Sequence, residues 1–429
     1  MESPLTLSAP EAARRVAAGE LRARDLAEAM LDQVAAIEPR LRAFTHLEPA
    51  LWRRQADAVD AAVKRGRAGP LAGLAFGVKD VIDTADQPSQ YGSPIWAGHR
   101  PRSDAASVVL ARRAGAVIAG KTVTTEFATR FPGPTANPVH AGHTPGGSSS
   151  GSAAGVAAGL LHLAFGTQTA GSIIRPAAYC GAVGYKPAYG TLHRAGMKVM
   201  SESLDTIGVM ARDVAGVALA MSALTGVDHG DPERAAAAPR LALAMGPGEA
   251  VLAPETLALF ERAEATLARK GVPIERRALP PSLLKANALH GHVMNMESAE
   301  ALGWELDHAR SQLSPVLRER MEWGLSEPRG KLAEGRAAFT EARLAFPAWA
   351  AGVEAILTPA APGEAPEGLS WTGDPACNSL WTLLHLPCVT VPAGSGPKGL
   401  PLGLQLVGRA GEESRLLSIA EWVRAAMRG

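Results

Sequence analysis

Short apolar runs alternate along this chain with longer helix-patterned segments, and that alternation limits the fold more than any other feature. Leu74-Ala-Phe-Gly-Val78 is one such run, and it delivers Lys79 and Asp80 at its end. Ala116–Ala119, Leu161–Phe165, Ala182–Tyr185, Leu241–Ala244, Ala355–Leu357, Cys388–Val391 and Leu402–Val407 read the same way. Runs this short and apolar are buried strands. Helices are expected at about 10–18 (with Ser8 as its cap), 23–37 and 50–65, from Asp104 as cap to about 114, and over 153–159, 173–179, 214–224, 255–270 and 412–427. Strands alternating with helices imply an α/β fold with a largely parallel sheet. An N-terminal helical segment covers about 1–66, and a mostly helical excursion covers about 283–350. The 429 residues suggest two or three domains by length alone. No repeat or linker divides them, so a single domain over 1–429 is expected.

Composition excludes several classes. Hydrophobic residues make up 47% and charged residues 20%, the balance of a globular enzyme and not of a disordered chain. A net charge of +1 supplies no basic field, so neither nucleic acid nor membrane is expected as a partner. Cys180, Cys377 and Cys388 show no metal or disulfide spacing, which leaves buried thiols in a reducing compartment. No cluster of His, Cys and carboxylates sits at ligand spacing, so no metal and no cofactor are expected. The first fifteen residues lack a signal peptide's basic and apolar regions. The longest apolar run, Ala153–Gly166, is broken by His162 and too short to span a bilayer. The default compartment is the cytoplasm.

The stretch Gly146-Gly-Ser-Ser-Ser-Gly-Ser-Ala-Ala-Gly155 raises the question of chemistry. Gly115-Ala-Val-Ile-Ala-Gly-Lys-Thr122 spells a P-loop nearby, but a helix precedes it and its middle residues are a strand, the reverse of what phosphate cradling needs. Gly147-Ser-Ser149-Ser-Gly151 spells a nucleophile elbow, but loop and not strand precedes it, and the last histidine, His385, lies in an apolar run. A third arrangement uses Gly166-Thr-Gln-Thr-Ala-Gly-Ser172. It places Ser172 on a small-residue loop before a short helix, where the N–H groups of Thr169, Ala170, Gly171 and Ser172 are free to form an oxyanion hole. Ser172 is then a nucleophile in need of a base, and Lys79 serves if burial keeps it neutral.

These residues resemble the amidase signature hydrolases. Pro145–Ala154, Thr167–Pro176, Cys180-Gly181 and Gly184-Tyr-Lys-Pro187 follow that family's signature, and Gly77-Val-Lys-Asp80 follows its lysine motif. Gly120-Lys-Thr122, Ser203-Leu-Asp-Thr206, Met210-Ala-Arg212 and Leu400-Pro-Leu-Gly-Leu-Gln405 extend the resemblance over nearly the whole chain. The resemblance implies an α/β/α sandwich around a large twisted mixed β-sheet. It implies a catalytic triad of Lys79, Ser148 and Ser172, with Ser172 forming an acyl-enzyme, Ser148 bridging from a cis peptide, and Lys79 acting as base and then acid. Ser150 and Thr167 are candidates for a supporting hydrogen-bond shell. Asp205, Lys121 and Lys186 read as structural.

One segment departs from the common pattern T-D-T-G-G-S-I-R-x-P. Here it reads Thr167-Gln-Thr-Ala-Gly-Ser-Ile-Ile-Arg-Pro176. The acid is Gln168, a glycine is Ala170, and the arginine is displaced by one position to Arg175. This form resembles the malonamidase-like branch, whose displaced arginine binds a substrate carboxylate. The expected activity is therefore a free-standing amidase acting on a small-molecule amide, with a homodimer plausible by family analogy. The alternative is the A subunit of a tRNA-dependent glutamyl or aspartyl amidotransferase complex. The pocket wall is expected from 283–350 and the 370s, with Asn378 and Trp381 as lining or core.

Overall fold

The computed structural model describes residues 3–234, 237–272 and 274–428; the outermost residues of the expected 1–429 span lie outside this set. Its strands are β1 (Phe44–His46), β2 (Ala75–Lys79), β3 (Val117–Thr122), β4 (Leu163–Gln168), β5 (Val183–Lys186), β6 (Thr206–Ala211), β7 (Leu241–Leu243), β8 (Ile274–Arg276), β9 (Ala355–Pro359), β10 (Cys388–Ser395) and β11 (Pro401–Val407). All belong to one sheet in the order β1-β3-β2-β4-β6-β5-β10-β11-β9-β7-β8.

The sheet is mixed, which corrects the largely parallel arrangement read from the alternation. β2 runs parallel to β3 and β4, and β7 runs parallel to β8 and β9. Every other pairing is antiparallel. β10 and β11 are joined by only a tight turn, a connection that permits nothing else. β6, which follows β5 without a helix between them, pairs antiparallel with both β5 and β4. The apolar runs read from the sequence do not include β6.

Helices cover both faces, giving an α/β/α sandwich. Helices Ser150–Ala157 and Ile174–Cys180 pack together over the central strands, and Val214–Thr225 packs with Glu413–Arg428 against β5, β6 and β10. Accordingly β2 to β7 and β9 are buried at every residue, as strands covered on two faces must be. The first helix, Ala9–Ala17, is capped as expected, with Glu11 N–H donating to Ser8 Oγ at 3.3 Å. Asp104 does not cap its helix. That helix begins after Ala105, and Asp104 instead accepts from Ala85 N–H at 2.8 Å and pairs with Arg112 at 2.9 Å.

The helical excursion comprises Pro281–Ala301, Gly303–His308, Pro315–Ser326 and Arg329–Trp349. The two longest helices pack side by side, and Pro315–Ser326 packs on the first of them. Among the described residues no helix is long and apolar enough to cross a membrane. No group of three His, Cys, Asp or Glu stands at metal-binding distance among them. Cys180, Cys377 and Cys388 are buried free thiols.

Candidate active site

β2 and β4 are parallel neighbours, with Val78 opposite Phe165. That register sets the C-terminal Lys79 beside Thr167. Lys79 is fully buried. Its Nζ lies 2.6 Å from Ser148 Oγ and 2.7 Å from Thr167 Oγ1. Burial lowers its pKa to about 7, and the attraction of Asp205 opposes that fall. An amine in this range exchanges a proton near neutral pH, which the ammonium of an exposed lysine does not.

Ser148 follows a cis peptide from Gly147. The serine stretch then turns directly into the helix Ser150–Ala157, three residues earlier than its small residues suggested. Gly151 explains the close fit. A Cβ there would lie 2.0 Å from Ala43 O and 2.4 Å from Val123 N, so only glycine lets this helix rest on the backbone beside β3. Ser149 Oγ accepts from Thr167 N–H at 3.2 Å, and Ser149 N–H donates to Ser172 O at 3.3 Å. Ser149 thus stitches the two serine-bearing segments together and meets no histidine. Ser150 Oγ donates to Gly146 O at 2.8 Å, one turn back, and so holds the Gly-Gly turn without touching Lys79.

The loop 169–172 is held from one side. His290 Nε2–H donates to Thr169 O at 3.0 Å, and Thr382 Oγ1 donates to Ala170 O at 2.7 Å. Gly171 O accepts from Arg175 N–H at 3.0 Å, and Ser172 O accepts from Ser149 N–H. All four carbonyls are engaged. The four N–H groups have no acceptor among the described residues. That is the arrangement an oxyanion requires, donors fixed in advance by the groups behind them. Gly171 is obligatory here, since a Cβ would sit 2.4 Å from Asn378 Oδ1. Burial lowers the His290 pKa to about 4, so this imidazole stays neutral and donates.

Gln168 Oε1 accepts from the N–H groups of Ile173 and Ile174 at 2.8 and 3.0 Å, capping the short helix. Its amide donates to Thr382 Oγ1 at 2.9 Å, leaving that hydroxyl's proton for Ala170 O. A carboxylate would cap equally well and could not donate to Thr382. The replacement at Gln168 is therefore tied to Thr382, a partner far away in the chain. Asp205 pins the turn before it, as expected, by accepting from Met200 and Ser201 N–H at 2.7 and 3.1 Å. It also accepts from Thr169 Oγ1 at 2.5 Å, and its charge acts on Lys79. Nothing local in the sequence signals that second role.

Ser172, half-buried, opens onto a cavity lined by residues 169–172, Arg175, Met294, Asn295, Arg320 and the segment Trp371–Gly373, among others. The wall comes from the helical excursion and the 370s. Asn378 and Trp381 do not line it; both are completely buried beneath. Arg175 is buried, and only part of its guanidinium is bonded. Its Nη2 donates to Gly147 O at 2.7 Å, whereas Nε and Nη1 have no partner among the described residues.

The other candidates lie elsewhere. Gly120 sits inside β3, so no phosphate loop forms. Lys121 pairs with the buried Asp80 at 3.2 Å, and Lys186 donates to Pro187 O and Leu386 O. His385 Nε2 bonds Ser203 O at 2.8 Å and its ring stacks on Tyr189.

An α/β/α sandwich with a buried lysine bonded to Ser148, and Ser172 on the adjoining loop, defines a class of C–N hydrolases. The chain belongs to the amidase signature family, whose profile, described as Amidase, matches residues 25–417. It is 35% identical to the A-type subunit of the glutamyl-tRNA(Gln) amidotransferase of Chloroflexus aggregans, over 97% of this chain and 95% of that one. Among solved structures it is similar to an amidase (28% identity, 98% and 99% coverage, TM-score 0.90) and to the native peptide amidase of Stenotrophomonas maltophilia (30% identity, 99% and 97% coverage, TM-score 0.81).

These relatives overturn the expectation that nucleic acid has no part among the partners. The amidotransferase subunits carry names that place them in an enzyme acting on a charged tRNA. Net charge misled because it reports the long-range field of one chain and is blind to work done through other subunits.

Proposed function

We propose that this chain cleaves a carboxamide C–N bond through an acyl-enzyme on Ser172. The observation that supports this best is the contact between a desolvated Lys79 Nζ and Ser148 Oγ at 2.6 Å, on a segment that Ser149 N–H ties to Ser172 O, while Ser172 itself lines the cavity. In this reading Ser172 Oγ attacks the amide carbon while its proton passes to Ser148 and the Ser148 proton to neutral Lys79. The carbonyl oxygen gains negative charge against the free N–H groups of residues 169–172. The tetrahedral species collapses, the C–N bond breaks, and the amine leaves with the proton returned through Ser148. Water then attacks the ester by the same route in reverse.

The curated relatives favour the setting of an amidotransferase complex, with this chain as its A-type component, over the free-standing amidase. That order reverses the one drawn from the Gln168 segment. A second reading, a free-standing amidase of the malonamidase-like branch, is supported by Arg175, whose unpartnered Nε and Nη1 belong to a cavity-lining residue. A guanidinium edge of that kind suits a carboxylate on the substrate.

The test is release of ammonia from glutamine and from monoamides of small diacids, by the chain alone and with candidate partner subunits. Glutamine cleavage that needs the partners selects the amidotransferase setting. Turnover of acid-bearing monoamides by the chain alone, with KM raised by Arg175→Lys, selects the second. Activity that survives Ser172→Ala would sink the chemistry common to both.

A further inference from the structure

The cavity at Ser172 is lined by three arginines and by no aspartate or glutamate. Besides Arg175, these are Arg130, just after the turn Glu126–Ala128, and Arg320, on the helix Pro315–Ser326. The side chain of neither Arg130 nor Arg320 makes a hydrogen bond or ion pair among the described residues. Most other arginines of the helical excursion do, including Arg310 with Glu322 and Arg336 with Glu297. Arg320 is half-buried, and its pKa falls to about 10 through desolvation and the nearby charge of Arg130. Arg130 also repels Arg175, which Asp374 attracts; Asp374 Oδ1 accepts from Ala376 N–H at 2.9 Å.

Arg320 is half-buried beside the like charge of Arg130 with no acid bonded to either, a pairing that an anionic ligand relieves. Arg175 reaches the serine end, and its third donor is already spent on Gly147 O. Arg130 and Arg320 come from elements outside the serine-bearing segments, and Arg320 feels the charge of Arg130 rather than that of Arg175.

We infer that Arg130 and Arg320 form a second anion subsite, and that the substrate is a small amide bearing two carboxylates, one for Arg175 and one for this pair. The inference rests on the acid-bearing amide reading above. Arg320 fixes the second carboxylate from the helical side, and the exposed Arg130 meets it from the mouth. Substrates are thereby ranked by their charge as well as by their amide.

The experiment compares three amides with the full chain: propanamide, succinamic acid, and the terminal monoamide of propane-1,2,3-tricarboxylic acid. kcat/KM is expected to rise at each added carboxylate. The last step should be about tenfold or more, the size of a charge-assisted contact. Arg320→Gln and Arg130→Gln should each erase most of that last step, read as the ratio between the two acids, while Arg320→Lys should retain much of it. Equal rates for one and two carboxylates, or a ratio that survives both substitutions, overturns the subsite. Arg130 is exposed, so its variant decides the matter if Arg320→Gln fails to fold. If no amide is cleaved, the hydrolase reading fails by itself. Calorimetric binding of propane-1,2,3-tricarboxylate against succinate, to the parent chain and to Arg130→Gln, then tests the subsite. A preference for the tricarboxylate lost in the variant supports it, and no preference overturns it.

Discussion

Lys79 is a buried lysine whose amine touches the hydroxyls of Ser148 and Thr167 and no carboxylate, and its properties follow from that. Its amine is neutral over half of the population near pH 7, so the rate should climb through a single ionisation near pH 7 and level off above it. A pH–kcat/KM profile checks this, and a flat profile from pH 6 to 9 would remove Lys79 as the base. The same shift bears on stability. Its folded pKa lies below its unfolded one, so between about pH 7 and the usual lysine range the unfolded chain binds the extra proton. Stability therefore rises with pH across that window. The Lys79→Met variant lacks this dependence. Denaturant melts of both should show the parent gaining on the variant as pH rises from 7 to 10, by an amount on the order of a few kcal/mol. Ser172→Ala should abolish the acyl-enzyme seen by mass spectrometry with the melt unchanged. Ser148→Ala and Lys79→Ala should each lose several orders of magnitude in turnover, and the double variant little more, because one relay is broken once.

At the scale of elements, the loop 169–172 is a row of donors held by its own carbonyls. Thr382→Val frees Ala170 O and leaves the Gln168 amide without its acceptor. Stability should fall by about 1–3 kcal/mol, and kcat should fall with KM nearly unchanged, since the donors act on the transition state. Urea unfolding and steady-state kinetics separate the two effects; a change in KM alone would mean that the loop merely binds substrate. Gly171→Ala should be inactive, and Asn378→Ala in the same chain should recover part of the loss by removing the oxygen that the new Cβ meets. The signature segments were legible because glycine and serine at fixed places announce close backbone approach. Thr382 and His290 were not, because each reaches the loop from more than a hundred residues away through one hydrogen bond, and such bonds leave no local pattern.

Across the whole molecule, stability should follow the sheet from its centre to its edges. β2, β4 and β6 are central and buried at every residue, whereas β8 is an edge strand of intermediate and exposed residues. Amide exchange should be slowest in the former, through global opening, and fast in β8; comparable protection at both would contradict a single cooperative sheet. The sequence by itself determined the strands that are short, apolar and doubly covered, the positions of Lys79, Ser148 and Ser172, and the family to which they belong. Those features are local, or are written in glycines that tolerate no substitute. Only the tertiary structure decided that the sheet is mixed, because strand direction depends on how connections cross the sheet and not on composition. It alone put Arg175 Nη2 on Gly147 O with Nε and Nη1 left unpartnered, and set Asp205 as a charge felt by Lys79. It also brought Arg130 and Arg320 to the same cavity, since charge accumulates where elements meet in space, and spacing along the chain does not record it.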